Sequence, residues 1–181
     1  MPQAARRGGR RVTAPIRYLV LVLFAAMLGT AQAAPAHRAC DLYRQLERRC
    51  GCSGADEYFG NYGGKYCERF MQASGWSPAG LRWRDPTLGC LKRELNGFLA
   101  RSGGCGCAEV KTFAFESHAR CYTQMPASAC RLPLSDIARI YGLVDAADLF
   151  GPLGARQTLA ITFACVRQNG DAAARPDGPV P

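Results

Sequence analysis

Beyond residue 40, apolar residues return at three-and-four spacing, and no stretch alternates with period two, so the pattern predicts helices and no sheet. A short helix is expected from Cys40 to Arg49, with Leu42 or Tyr43 and Leu46 on one side. The glycine-rich stretch Gly60-Asn61-Tyr62-Gly63-Gly64 interrupts the pattern before a second helix from about Lys65 to Ala73, where Tyr66, Cys67, Phe70 and Met71 repeat. Ser77 before Pro78 is a helix start, a capping side chain followed by a residue that needs no amide hydrogen. Asp85-Pro86 repeats that signature, so the third helix is expected to kink or restart before running to about Ala100 with Leu88, Leu91, Leu95 and Leu99 on its apolar face.

Gly103-Gly104 ends that element. A fourth helix from about Ala108 to Gln124 carries Val110, Phe113, Ala114, Cys121 and Met125 near one stripe. Ser135 is expected to cap a fifth, Asp136 to Leu143, and Asp145 to begin a short turn to Phe150. After the break at Gly151-Pro152 comes a last helix, about Ala155 to Arg167. The fold class is therefore all-α, a disulfide-braced domain of about five to six short helices spanning residues 34–168. The segment 169–181, rich in Ala, Pro, Asp and Gly, has no apolar period and is expected to be disordered.

The first 33 residues read differently. Arg6, Arg7, Arg10, Arg11 and Arg17 stand without an acidic residue, followed by the apolar run Tyr18–Leu28 and the small-residue site Ala31-Gln32-Ala33. That order is a secretory signal peptide, with cleavage expected after Ala33 or, alternatively, Ala36. The apolar run is too short for a spanning helix of roughly 20 residues, so no integral membrane segment is expected in the mature chain. Secretion is the expected fate, to the medium or a periplasm. Loss of the leader removes five of the 23 basic residues, leaving 18 against 14 acidic, a net +4 rather than +9. These charges are scattered, whereas a nucleic-acid surface needs a basic stripe interleaved with aromatics.

All ten cysteines follow the leader: Cys40, Cys50, Cys52, Cys67, Cys90, Cys105, Cys107, Cys121, Cys130 and Cys165. An even set in an exported chain predicts five disulfides. In the antiparallel hairpin turning near Gly104, Cys90 lies opposite about residue 118, within one turn, about 5.4 Å, of Cys121, so Cys90–Cys121 is within reach. Cys130 and Cys165 flank the last two helices, and joining them closes those helices against the hairpin. Cys40, Cys50, Cys52 and Cys67 then share partners with Cys105 and Cys107. The doublets Cys50-Gly51-Cys52 and Cys105-Gly106-Cys107 also suggest a zinc site or redox pair. Export and the cramped single-residue spacing favour framework disulfides, with no metal and no cofactor expected.

Several segments resemble the stanniocalcins, secreted disulfide-rich glycoprotein hormones. Cys67-Glu68-Arg69-Phe70-Met71 is similar to that family's Cys-x-x-Phe-Leu helix. Gly80-Leu81-Arg82-Trp83 and Leu88-Gly89-Cys90-Leu91 match its glycine, its aromatic three residues on, and its Leu-x-Cys-Ile step. Cys107, Thr112-Phe113, Cys121-Tyr122, Cys130 and Cys165 continue the order, with Cys40, Cys50 and Cys52 a looser match. The resemblance implies Cys90–Cys121 and Cys130–Cys165, Cys67 joined to a cysteine of the first segment, and Cys105 or Cys107 joined likewise. It also implies a secreted, non-enzymatic protein acting by extracellular binding, hormone-like or regulatory, on a protein or an ion. The chain departs from the family in four ways. No further cysteine follows Cys165, so no covalent dimer is expected; Asn61, Asn96 and Asn169 lack the glycosylation signal; Pro86 interrupts the third helix; and a second cysteine is added beside Cys107.

Candidate chemistry is sparse. Of the two histidines, His37 lies beside the cleavage site, and His118 sits near Cys121 and Tyr122 on the fourth helix. A small secreted phospholipase A2-like hydrolase using His118 as general base is the enzymatic alternative. That pattern needs an acidic residue after the histidine, and here Ala119 follows. A solvent-facing or capped His118 is the plainer expectation. A structural periplasmic or envelope protein is the remaining alternative. Asp56-Glu57 and Asp145 with Asp148 are better read as helix-start charges than as cation ligands. The cluster Tyr58, Phe59, Tyr62 and Tyr66 is better read as packing than as a binding loop.

Overall fold

The computed structural model describes residues 34–124 and 126–173. The expected leader, and Met125 of the expected stripe, lie outside them. The described residues form seven α-helices and no strand: α1 Ala34–Cys50, α2 Lys65–Gln72, α3 Pro78–Ser102, α4 Cys107–Tyr122, α5 Leu134–Leu143, α6 Ala146–Phe150 and α7 Pro152–Ala173. Short 3-10 turns at Gly54–Asp56 and Ala129–Arg131 and a wide turn of π type at Phe59–Gly64 connect them. The described residues from Ala36 onward belong to one unit. No helix among the described residues is long and apolar enough to cross a membrane.

The centre is the antiparallel pair α3 and α4, turned by Gly103, whose φ of 68° ends α3 in the left-handed region. Leu95 and Leu99 of α3 and Val110 and Ala114 of α4 meet there, and α1 lays Tyr43 and Leu46 against them. A second cluster gathers Phe70, Trp83, Leu88 and Ala129. Trp83 is almost fully buried, and its indole N–H donates to the Tyr122 carbonyl at 3.0 Å. α7 packs mainly against α4, α6 and the Ala129–Arg131 turn.

Four expectations from the sequence are corrected. α3 does not restart: it runs as one helix of 25 residues through Pro86. Pro86 is exposed, so the carbonyl it leaves without a donor can be hydrated. Ser135 does not cap α5, which begins at Leu134 directly after Pro133. The proline supplies the extended residue that starts the helix a position earlier. α1 starts at Ala34, well before Cys40. Finally, α7 continues through Asn169 to Ala173, so the expected disorder does not begin at 169. Alanines there sustain a helix that Gly170 weakens without ending. Residues 174–181 of that tail lie outside the described residues.

The start of α3 is fixed as its sequence implies, with an addition. Ser77 Oγ accepts from Gly80 N at 3.0 Å and itself donates to Asp136 Oδ2 of α5, while Ser77 N donates to Asp136 Oδ1 at 3.1 Å. Asp136 is fully buried. A Cβ at position 80 would stand 2.6 Å from its carboxylate, so only glycine allows α3 and α5 this close.

Candidate functional site

All ten cysteines are paired: Cys40–Cys67, Cys50–Cys105, Cys52–Cys107, Cys90–Cys121 and Cys130–Cys165. The two bridges argued from helix geometry are both made, with Cα separations of 5.6 and 5.1 Å. The doublets form two bridges side by side, each closing 55 residues. Gly51 between them has a φ of 62°, a conformation that a side chain would strain. Loops of 27 to 55 residues correspond to about 4 kcal/mol each through the unfolded state. With both doublets oxidised, no thiolate is free to ligate zinc.

His118 is neither solvent-facing nor at a cap. It is only 5% exposed, and its Nδ1–H donates to the Ala114 carbonyl at 2.7 Å, one turn back in α4. Tyr62, Phe115 and Tyr122 surround the ring. Burial pushes its pKa down from 6.5 to about 4, against the opposing effect of its backbone hydrogen bonds, so the imidazole is neutral at pH 7. A general base must reach its substrate, and this ring is sealed among aromatics.

Of the acidic pairs, Glu57, Asp145 and Asp148 are tied to the chain itself. Glu57 accepts from Gly60 N and Asn61 N at 2.8 and 2.6 Å, fixing the start of the wide turn before α2. Asp145 pairs with Arg69 at 2.6 Å and Lys65 at 2.7 Å, and Asp148 with Lys65 at 2.9 Å. Tyr66 completes this network, its hydroxyl donating to Asp148 and accepting from Asp145 N at 3.1 Å. The Arg69 and Lys65 partners hold the Asp145 carboxyl down to about 2. This array clamps the α5–α6 junction to α2. No group of three or more His, Cys, Asp or Glu that could hold a metal occurs among the described residues.

Tyr58, Phe59, Tyr62 and Tyr66 are buried, packed edge-on and stacked with Tyr43 and Phe115. The larger open spaces border this cluster or lie beyond it. A groove of about 620 Å³ runs beside the first half of α3, with Arg82, Arg93 and Arg131 on its walls. A cavity of about 230 Å³ lies between α5 and α7. Gln157 lines it, and this residue carries no signal in the sequence beyond being polar on an inward face shared with Gly154 and Ile161. On the outer side of α7, Leu159, Phe163 and Val166 stand 57, 61 and 64% exposed.

Compared with protein-family models, with curated proteins and with solved structures, the chain finds no match in any of the three.

Proposed function

We propose that this is an exported, non-enzymatic, stanniocalcin-like binding protein that recognises an extracellular protein partner through the outer face of α7. The observation that carries the reading is the exposed stripe Leu159, Phe163 and Val166, at i, i+4 and i+7 and hence on one side of the helix. An exposed apolar stripe marks an interaction surface when it is contiguous, and a helix bearing such anchors fits an apolar groove on a partner. The Cys130–Cys165 bridge holds α7 in place before the partner arrives, which lowers the ordering cost of association. Five bridges suit an oxidising compartment. The helical framework with Cys90–Cys121 and Cys130–Cys165 supports the stanniocalcin likeness.

The test replaces Phe163 by a photo-reactive phenylalanine in the producing cell, with the exposed Arg101 position of α3 as control. A discrete cross-linked protein at 163 and not at 101, in the exported fraction, is expected. The mature chain should begin after Ala33 or Ala36 and carry no titratable thiol. Equal labelling at both positions, no cross-link at 163, or a reduced chain retained in the cytosol would overturn the proposal.

A further inference from the structure

We propose that the space between α5 and α7 is a binding site for a small, uncharged, largely apolar molecule bearing one hydroxyl or N–H group, a fused-ring phenol being representative. The inference goes beyond the partner surface, since it concerns the opposite side of α7.

Three observations converge on it. First, the space is preformed. α5 is pinned at its start by the Asp136 carboxylate on Ser77, and α7 by the bridge from Cys165 to Cys130. α7 packs mainly on α4 and α6, and the space lies between it and α5. Walls anchored in this way relax only partly into the space between them.

Second, the lining chooses the ligand. Ile137, Ile140 and Val144 face the cavity from the α5 side, Leu149 from α6 and Ile161 from α7, above Tyr62. No charged side chain lines it, in contrast to the arginine-walled groove beside α3. A charged ligand would lose its hydration here with nothing to replace it. An apolar cavity of about 150 Å³ takes a single benzene ring, so about 230 Å³ suits a molecule on the order of ten non-hydrogen atoms. Tyr141, 46% exposed at the rim, marks the way in.

Third, one polar atom is left over. Gln157, which lines this space and also the neighbouring one against α4, has a buried Oε1 with no hydrogen-bond partner among the described residues. The neighbouring Thr162 hydroxyl already donates to the Thr158 carbonyl at 2.9 Å. A buried acceptor without a donor is costly, and a ligand hydroxyl or N–H supplies that donor.

The experiment titrates the intact, fully bridged protein with 2-naphthol and with naphthalene, which share a ring system and differ in the donor. Saturable one-to-one binding of 2-naphthol is expected, with naphthalene about tenfold weaker. Gln157→Leu should bring the two within about twofold. Ile161→Trp and Ile137→Phe, which fill the space from opposite walls, should each weaken 2-naphthol by more than about tenfold while all five bridges still form. Phe163→Asp, on the outer face, should leave it unchanged, which separates this site from the partner surface. Absence of saturation overturns the proposal. So does binding within twofold of the parent protein in both filled variants. Equal affinity for the two ring compounds overturns the role given to Gln157.

Discussion

The α1–α4 region and the α5–α7 region are built from the same kinds of residue and use them differently. In the first, four of the five bridges lie among or between its own elements, and Tyr43, Phe59, Trp83 and Val110 are buried at 2% exposure or less. In the second, a single bridge reaches Cys165, while Leu134, Phe150 and Phe163 stand 85, 77 and 61% exposed. The two are joined by the packing of α7 on α4 and by polar clasps: Asp136 on Ser77, and Lys65, Tyr66 and Arg69 on Asp145 and Asp148. Where crosslinks and aromatic packing are dense, apolar surface is consumed by the fold. Where they are sparse, it is left available for ligands.

Three measurements would break or sharpen that contrast. Trp83→Ala should cost about 4 kcal/mol in urea unfolding, since it empties a large site of the first region and removes the hydrogen bond to Tyr122. A loss under about 1 kcal/mol would mean the first region is not the main store of stability. Next comes acid. The folded pKa of His118 lies near 4 against 6.5 when unfolded, so the unfolded chain binds more protons between those values. Stability should therefore fall by about 3 kcal/mol as pH drops from about 6.5 to 4, and His118→Phe should remove that part of the slope. An identical pH profile in the variant would show the ring to be hydrated. The smallest effect is expected at Phe163→Ala, within about 0.5 kcal/mol. A cost of several kcal/mol would place that side chain in a core and erase the contrast.

The parts of this fold legible in the sequence are those fixed by local chemistry. Ser77-Pro78 starts α3 as it reads, and the glycine turn at 103–104 sets the hairpin register that brings Cys90 to Cys121. Pairing within the doublets was not legible, because a spacing of one residue makes Cys50 and Cys52 equivalent partners for Cys105 and Cys107. Burial of His118 was hidden for another reason. α4 is packed by α3 and by α7, so Val110, Ala114, Phe115, Ser117, His118 and Cys121 are buried around more than one face. A single apolar stripe cannot report that. Asp136 reads as an ordinary first-turn acid, and only the approach of α3 at Gly80 reveals it as a buried anchor. The cavity is lined by residues of α5, α6 and α7 together, and the periodicity of one helix carries no information about the space between several.

The paired doublets have a consequence for how the chain matures. Exchanging partners between Cys50–Cys105 and Cys52–Cys107 moves each sulfur by only two residues along the backbone, so a crossed isomer competes with the native one during oxidation. Loop length does not discriminate between them, because the crossed loops differ from the native ones by two residues in fifty-five. Discrimination therefore has to come from the folded arrangement of the two doublets, in which Gly51 holds a left-handed φ of 62° between Cys50 and Cys52. A crossed isomer, once formed, can return to the native pairing only by thiol–disulfide exchange, which requires a thiolate still present when the fold is complete.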